Sequence, residues 1–417
     1  MVAGGARWGS GSARMEGVMF IRRAVIRNVR SIEELEWRLP EEKPGGWHVV
    51  LGDNGSGKST FLRCLALALV GREGFLGLRQ DLQTWRRRDV ESSRIELHVM
   101  GIVGPTCAHI SIDPFNGATL ARFGPSIKGG FSAAYGPFRR FTGGDRQTEK
   151  FLLSHPHLGA HVSVFGESIA LSESLEWLRE LNYKKLEKTP EGYFVDEVTA
   201  FVNQEGFLPY NIRLKDVSSQ GVTFEDANGF AVPVEDLGDG YRSILSMTFE
   251  LIRQMRRAFP EAQIFDSEHR FVQMPGVVLI DEVDAHLHPA WQKKIGFWFT
   301  EHFPNVQFIV TTHSPLICQA AVNGTIFLLP RPGHKEPGRM LEGIERDRLV
   351  YGDILDAYST QPFSDAATRS EPAAAMQERL AVLNVKELRA GLTQQEREEQ
   401  ERLRSAFPTS AHATNSK

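Results

Sequence analysis

Apolar positions in this chain gather into three short runs, and each run ends abruptly in polar residues. His48-Val49-Val50-Leu51 leads into Gly52-Asp53-Asn54, Val277-Val278-Leu279-Ile280 leads into Asp281-Glu282, and residues 306–312 lead into His313-Ser314-Pro315. Unbroken runs of this length predict strands buried on both faces, as in a parallel sheet. Helix formers at 60–70 predict a helix, with Gly71 as its stop. A second kind of pattern precedes and follows the first run. Residues 19–30 and 33–38 read as a strand and its antiparallel partner, and 94–112 alternate in character with Gly and Pro punctuation. Further on, helices are predicted over 167–188 and 194–205 and strands near 210–217 and 221–234. A long helix is predicted to reach Ala258, with another at 289–301 and a helical stretch at 371–406. Strands that alternate with helices in this way predict an α/β fold.

Composition narrows the setting. The 417 residues are 41% apolar, enough for a large core, and the net charge is −4. That balance argues against a surface built for non-specific nucleic-acid binding, although local basic stretches occur. Arg86-Arg87-Arg88, Arg139-Arg140 and Arg256-Arg257 could meet nucleic-acid phosphates or could form solvated, ion-paired faces. Three cysteines, Cys64, Cys107 and Cys318, have no metal-ligand spacing and fit a reducing cytoplasm. No run approaches about 20 apolar residues, so no membrane span is expected. Residues 1–17 read as a disordered tail or as sequence upstream of a start at Met15 or Met19.

The chemistry lies at the ends of the apolar runs. Residues 52–60 spell Gly52-Asp53-Asn54-Gly55-Ser56-Gly57-Lys58-Ser59-Thr60, the phosphate-loop pattern. Its glycines allow successive backbone N–H groups, including those of Asn54, Gly55, Ser56, Gly57 and Thr60, to face an anion. Lys58 can reach outer phosphates, and the Ser59 hydroxyl can ligate Mg²⁺. Asp281 follows a strand as an acid that supports Mg²⁺ should, and Glu282 could orient or deprotonate an attacking water. The alternative for such an acidic pair is a helix-capping loop. His313 stands at the same predicted sheet edge, where it could hydrogen-bond a γ-phosphate or serve as a structural histidine. The turn Gly238-Asp239-Gly240 opens a second helix, and its N–H groups form another anion site. One triphosphate has no need of two such sites in one molecule, but two molecules facing head to tail would use one from each.

In these pieces the chain resembles the ABC-type ATPases, in particular the AAA_15/AAA_21-like group related to the OLD, RecF and Rad50-type heads. The matching residues are Asn28-Val29-Arg30-Ser31, the loop 52–60, the turn 237–243, residues 277–289 and residues 308–315, in that order over about 19–325. Tyr135-Gly136-Pro137-Phe138-Arg139-Arg140 and Ala285-His286-Leu287-His288-Pro289 look most like ATPase subunits of anti-phage defence systems such as Septu, some retrons and PARIS. The resemblance implies a head with a RecA-like parallel core, an N-terminal antiparallel β-subdomain and a helical insertion at about 165–206. That head would span 18–330, followed by a mostly helical extension with a polar end at 331–417.

The same resemblance implies ATP and Mg²⁺ as cofactors. Lys58 would bind the β- and γ-phosphates, and Ser59 and Asp281 would serve the metal. Glu282 would be the catalytic carboxylate, His313 the switch histidine, and Arg30 would lie over the nucleotide. Gly238, Asp239 and Gly240 would complete the partner's site in a homodimer or higher homo-oligomer. Departures are present: Gly238 replaces the usual signature serine, which implies slow hydrolysis, and His288 falls where an aspartate is usual. The glutamine of the loop that normally carries one is not placed: Tyr135 sits where it is sought, with Gln80 and Gln83 as weaker candidates. The acids beyond residue 330 follow no strand, so a nuclease module of the Toprim kind is not expected within this chain. A separate effector nuclease subunit, of HNH or Toprim type, is the implied partner. The competing expectation is a RecF- or Rad50-like DNA-maintenance ATPase that contacts DNA itself.

Overall fold

The computed structural model describes residues 19–41, 44–78, 80–87, 90–101, 104–115, 118–123, 130–137, 156–166, 173–334, 336–353, 357, 360 and 371–407. The expected tail at 1–17 lies outside them. So do Arg88, Phe138, Arg139 and Arg140, and residues 167–172 where the first helix of the insertion was expected to begin.

The apolar runs become the centre of a six-stranded sheet. Strands β1 (Phe20–Val29), β2 (Ile32–Arg38) and β3 (Gly46–Leu51) are followed by helix α1 (Lys58–Leu78). Next come β4 (Ser93–Gly101), β5 (Gly104–Phe115), β6 (Ala118–Phe123) and β7 (Ser132–Tyr135). Strand β3 pairs in parallel with residues Gln307 to Thr312, and these in turn lie beside 276–280. Every residue of both central runs, Gly276–Ile280 and Val306–Thr312, is buried. Double-sided burial explains their lack of alternation.

A separate antiparallel sheet, in the order β2-β1-β4-β5-β6, covers the other side of α1. Its inner face carries Ala24, Ile26, Trp37, Ile95, Leu97 and Ile110, all buried. Helix α1 is held between this sheet and the parallel one, so Phe61, Leu62, Leu65, Ala66 and Leu69 are buried around its whole circumference. Burial of a large aliphatic or aromatic side chain contributes about 1.5–3 kcal/mol, which makes this helix a main tie between the sheets. Gln307 adds a polar tie. Its side chain accepts from Ile21 N at 2.8 Å and donates to Ile21 O at 3.0 Å.

Gly71 ends the first helical segment of α1, as expected. It breaks the helix locally at φ 71° and ψ −168°, after which a second helical segment runs to Leu78. Phe75 and Leu78 are buried in the same core, and their burial holds that segment past the glycine.

Helices α2 (Glu173–Leu186) and α3 (Phe194–Val202) follow, then strands β8 (Arg213–Ser218), β9 (Gly221–Glu225) and β10 (Ala231–Pro233) in a small antiparallel sheet. Tyr210, expected in a strand, sits in a tight turn at φ 58°. Helix α4 (Asp239–Ala258), strand β11 (Gly276–Ile280), helix α5 (Pro289–His302) and strand β12 (Val306–Thr312) complete the central layer. Strand β13 (Ile326–Leu328) extends the sheet beside β3, and β14 (Arg339–Met340) closes that edge antiparallel.

The contacts divide the chain into two compact units, Met1–Ala357 and Tyr358–Lys417. Strand β14 and helix α6 (Gly343–Tyr351), although beyond residue 330, belong to the first unit. The second contains a hairpin of α7 (Glu371–Ala390) and α8 (Gln394–Ala406) around Leu380, Leu383 and Leu403. Thr393 and Glu396 form a capping box at the start of α8. Among the described residues, no helix is long and apolar enough to cross a membrane.

Candidate phosphate-binding site

Three parallel strands deliver the site, and all three end at the same edge. At the end of β3 the loop 52–57 turns with Gly55 at φ 81° and Gly57 at φ 99°, a region that side-chain-bearing residues rarely adopt. Gly52 has a different constraint: a Cβ there would lie 2.4 Å from Ser56 Oγ and 3.1 Å from Leu329 Cβ. A Cβ on Gly57 would press on Ile32 and Ser31, so the β1–β2 turn backs the loop. Ser56 N donates to Asp53 O at 3.1 Å, and Phe61 N to Gly57 O at 2.8 Å, which passes the loop into α1. Ser56, Lys58 and Thr60 are buried, Ser59 is half-buried, and Asn54 and Gly55 are exposed.

The Lys58 ammonium donates to Gly52 O at 2.7 Å and Asp53 O at 3.0 Å, and it lies 3.2 Å from His313 Nδ1. Burial lowers its pKa, opposed by the negative charges of Glu282, Asp281, Asp284 and Asp53. Asp281, at the end of β11, is 1% exposed. The hydroxyl of Thr311, on the neighbouring β12, donates to Asp281 Oδ1 at 2.6 Å and accepts from Glu282 N at 2.8 Å. Glu282 itself has φ 46°, a left-handed backbone that a non-glycine residue adopts only when its surroundings hold it. His313 Nε2 stands 3.7 Å from Glu282 Oε1. Lys58, Asp281, Glu282 and His313 are therefore brought together as the strand ends predict.

Two residues of this cluster carry no distinguishing mark in the sequence. Thr311 is part of an apolar strand. Asp284 lies three residues past Asp281, and its Oδ1 accepts from Thr312 Oγ1 at 2.5 Å. Both bonds depend on the β11–β12 register, which pairs Ile280 with Val310. Beyond them, Ser314 donates to Gln292 at 2.7 Å, and Gln292 to Leu287 O at 3.0 Å, fixing the turn that follows Glu282.

The remaining expected residues occupy other surroundings. Arg30 sits in the β1–β2 turn at φ 50°. Its guanidinium lies over the Trp85 ring at 4.6 Å and donates to Thr84 O at 3.3 Å. Burial and then the charge of Arg63 lower its pKa. Gly238 caps α4 without a side-chain hydrogen bond and, like Asp239, is exposed. Asp239 pairs with Arg242, which also donates to Glu235 O at 3.1 Å. A Cβ on Gly240 would rest against His286 O at 3.6 Å, so this turn packs on the segment after Glu282. His288 caps α5 by accepting from Ala290 N at 3.3 Å.

Tyr135 is buried at the end of β7, with its carbonyl accepting from Asp281 N at 2.8 Å. Burial raises its pKa well above the usual value, and Glu250 adds to the effect. Of the basic stretches, Arg87 pairs with Glu33 at 3.3 Å, and Arg86 donates to Val90 O at 2.9 Å. Arg256 stacks on Phe194 at 4.9 Å and donates to Ala262 O at 3.1 Å. These arginines are engaged in local structure.

A glycine loop entering a helix, with a buried acid at the end of a parallel strand two places away in the same sheet, defines a P-loop α/β protein. The chain belongs to the AAA_21 family, whose model, described as "AAA domain, putative AbiEii toxin, Type IV TA system", matches residues 110–319. Those residues include β7, α4, β11, β12 and His313. A Septu protein PtuA of Bacillus mycoides (strain KBAB4) is 28% identical over 357 residues, covering 82% of this chain and 46% of that protein. The protein named "Retron Ec83 probable ATPase" of Escherichia coli is 33% identical over 146 residues, 34% of this chain and 26% of its own length. The chain thus spans less than half the length of these relatives. Among solved structures, an SMC head bound to the C-winged helix domain of ScpA aligns with a TM-score of 0.48 at 13% identity. That alignment covers 77% of this chain and 97% of the SMC head. The recombination mediator RecF with ATP gives 0.45 at 13% identity, with 80% and 100% covered.

Proposed function

We propose that this chain is the ATP-binding and slowly ATP-hydrolysing subunit of an anti-phage defence complex. It works as a head-to-tail homodimer or higher homo-oligomer and controls a separate effector nuclease. The observation that carries this reading is the convergence of Lys58, His313, Glu282 and the Thr311-bound Asp281 on one glycine loop. The names of the Septu and retron relatives support the cellular setting.

The residues fit a Mg²⁺-bound nucleoside triphosphate. The positive φ at Gly55 and Gly57 frees the loop amides to face phosphate oxygens, and Lys58 exchanges its loop carbonyls for those oxygens. Ser59 and Asp281 would hold Mg²⁺, which when bound supplies charge neutralisation at the phosphates. Glu282 orients the attacking water, with its backbone pinned by Thr311. The amides of exposed Gly238 and half-buried Gly240 at the start of α4 are offered to a second molecule's phosphates. Asp239 places a carboxylate at that same helix end. Together with the missing serine hydroxyl at Gly238, it favours a nucleotide that holds two copies together over rapid turnover.

The test is light scattering on a sizing column with the Glu282→Gln and Lys58→Ala variants. Glu282→Gln with ATP and Mg²⁺ should run as a stable dimer or larger, and Lys58→Ala should not respond to ATP. A monomer under every nucleotide condition would sink the head-to-tail reading.

A further inference from the structure

On the outer face of the antiparallel sheet, away from α1, a cavity of about 240 Å³ is lined by Arg22, Arg23, Arg38, Leu39, Glu41 and His98. Cross-strand register builds it. Arg23 of β1 lies directly opposite Arg38 of β2 on one side and His98 of β4 on the other. A bulge between Ile21 and Arg23 puts both Arg22 and Arg23 between the inward-facing Ile21 and Ala24, so two consecutive arginines serve one face. Like charges directly opposite each other in a sheet are destabilising, and this row brings three guanidinium groups together.

The row is only partly compensated. Arg23 Nε donates to Glu36 at 2.7 Å, and Arg22 donates to the carbonyls of Glu41 at 3.1 Å and Pro40 at 3.5 Å. Among the described residues, the Arg38 side chain makes no hydrogen bond or ion pair; the Glu36 carboxylate feels both it and Arg23, Glu96 also acts on Arg23, and Glu41 contributes a carboxylate to the lining. His98 has the Cys107 sulfur 3.7 Å from its Nε2 as its neighbour. We infer that this cavity binds a phosphate group, with Arg38 and Arg22 as its principal donors. Guanidinium groups match phosphate geometry through paired donors, and the cavity is smaller than the roughly 300–1,000 Å³ typical of organic-ligand sites. The ligand group can come from a free phosphate or phosphomonoester or from a nucleic-acid backbone.

Calorimetric titration separates these sources. The full chain carries Lys58→Ala, so that the loop 52–57 is not the phosphate site observed. The two probes are inorganic phosphate and an oligothymidylate without terminal phosphates. Binding of the first probe, weakened about tenfold or more by Arg38→Glu, assigns a free phosphate or phosphomonoester. Binding of the second alone with the same loss assigns a backbone phosphate. Arg122→Glu, a charge reversal on β6 of the same sheet, should leave either affinity unchanged. Arg38→Gln replaces Arg38→Glu if the latter melts at lower temperature. No binding of either probe, or binding indifferent to Arg38, overturns the inference.

Discussion

His313 Nδ1 lies 3.2 Å from the Lys58 ammonium. An ammonium has only donors, so Nδ1 must accept and the ring proton must reside on Nε2, which faces Glu282 at 3.7 Å. The ring thereby lies between the Lys58 ammonium and the Glu282 carboxylate. Under the proposed function, His313→Asn should lower the steady-state rate of phosphate release by roughly 10²-fold, the usual cost of losing one positioned donor. Affinity for a fluorescent ATP analogue should change much less. An equal loss in both would assign His313 to binding alone.

Thr311 offers a sharper structural test, because one hydroxyl serves two groups. Thr311→Val keeps the shape but removes the donor to Asp281 and the acceptor for Glu282 N. In a site this buried the loss should cost about 1–3 kcal/mol of stability in urea unfolding, with ATP turnover falling as Glu282 loses its anchor. Thr311→Ser retains the hydroxyl and should recover most of both. Recovery of stability without recovery of turnover would show that the methyl group, not the hydroxyl, positions Glu282.

Thr311 also marks the limit of what the sequence makes legible. The β3–loop–α1 unit and the Asp281-Glu282 pair can be read directly, because each joins an apolar run to chemistry confined to one short segment. Thr311 and Asp284 gain their roles only from the register of two strands whose partners are 30 and 28 residues away. Gly71 shows the same limit from the other side. It ends the first helical segment as the sequence predicts, but the second segment to Leu78 is held by burial of Phe75 and Leu78 in the core between the sheets. Local signals thus identify the phosphate loop, and long-range packing decides how the acids beside it are held.

Arg253 anchors a buried charge cluster behind Tyr135. Its guanidinium meets Glu250 at 2.8 Å and Glu173 at 2.9 Å, joining α4 to the first turn of α2. Burial opposes the charged form, but the two carboxylates outweigh it and hold the pKa above the ordinary arginine value. Arg253→Met should therefore cost about 3–5 kcal/mol by leaving Glu250 buried without its counter-charge. Adding Glu250→Leu should restore much of that loss. Differential scanning calorimetry of the single and double variants checks the order, and a double variant no more stable than the single one would contradict it.

His302, near the end of α5, supplies a pH dependence. It is 6% exposed, stacks on Trp298 with ring centres 4.6 Å apart, and donates from Nδ1 to Trp298 O at 2.7 Å. Burial pushes its pKa below the ordinary 6.5, offset only in part by that hydrogen bond and by the charge of Glu301. Below this ordinary value the unfolded chain takes up the proton more readily than the folded chain does. The contribution to stability is then complete above pH 6.5 and is lost as pH falls toward the lower folded value. His302→Phe keeps an aromatic ring in the stack and leaves nothing to titrate, at a cost of about 0.5–1.5 kcal/mol for the hydrogen bond at neutral pH. Urea midpoints measured from pH 8 to 5, on the order of three units around that value, should fall more steeply for the native chain than for the variant. Parallel curves would place the acid sensitivity elsewhere.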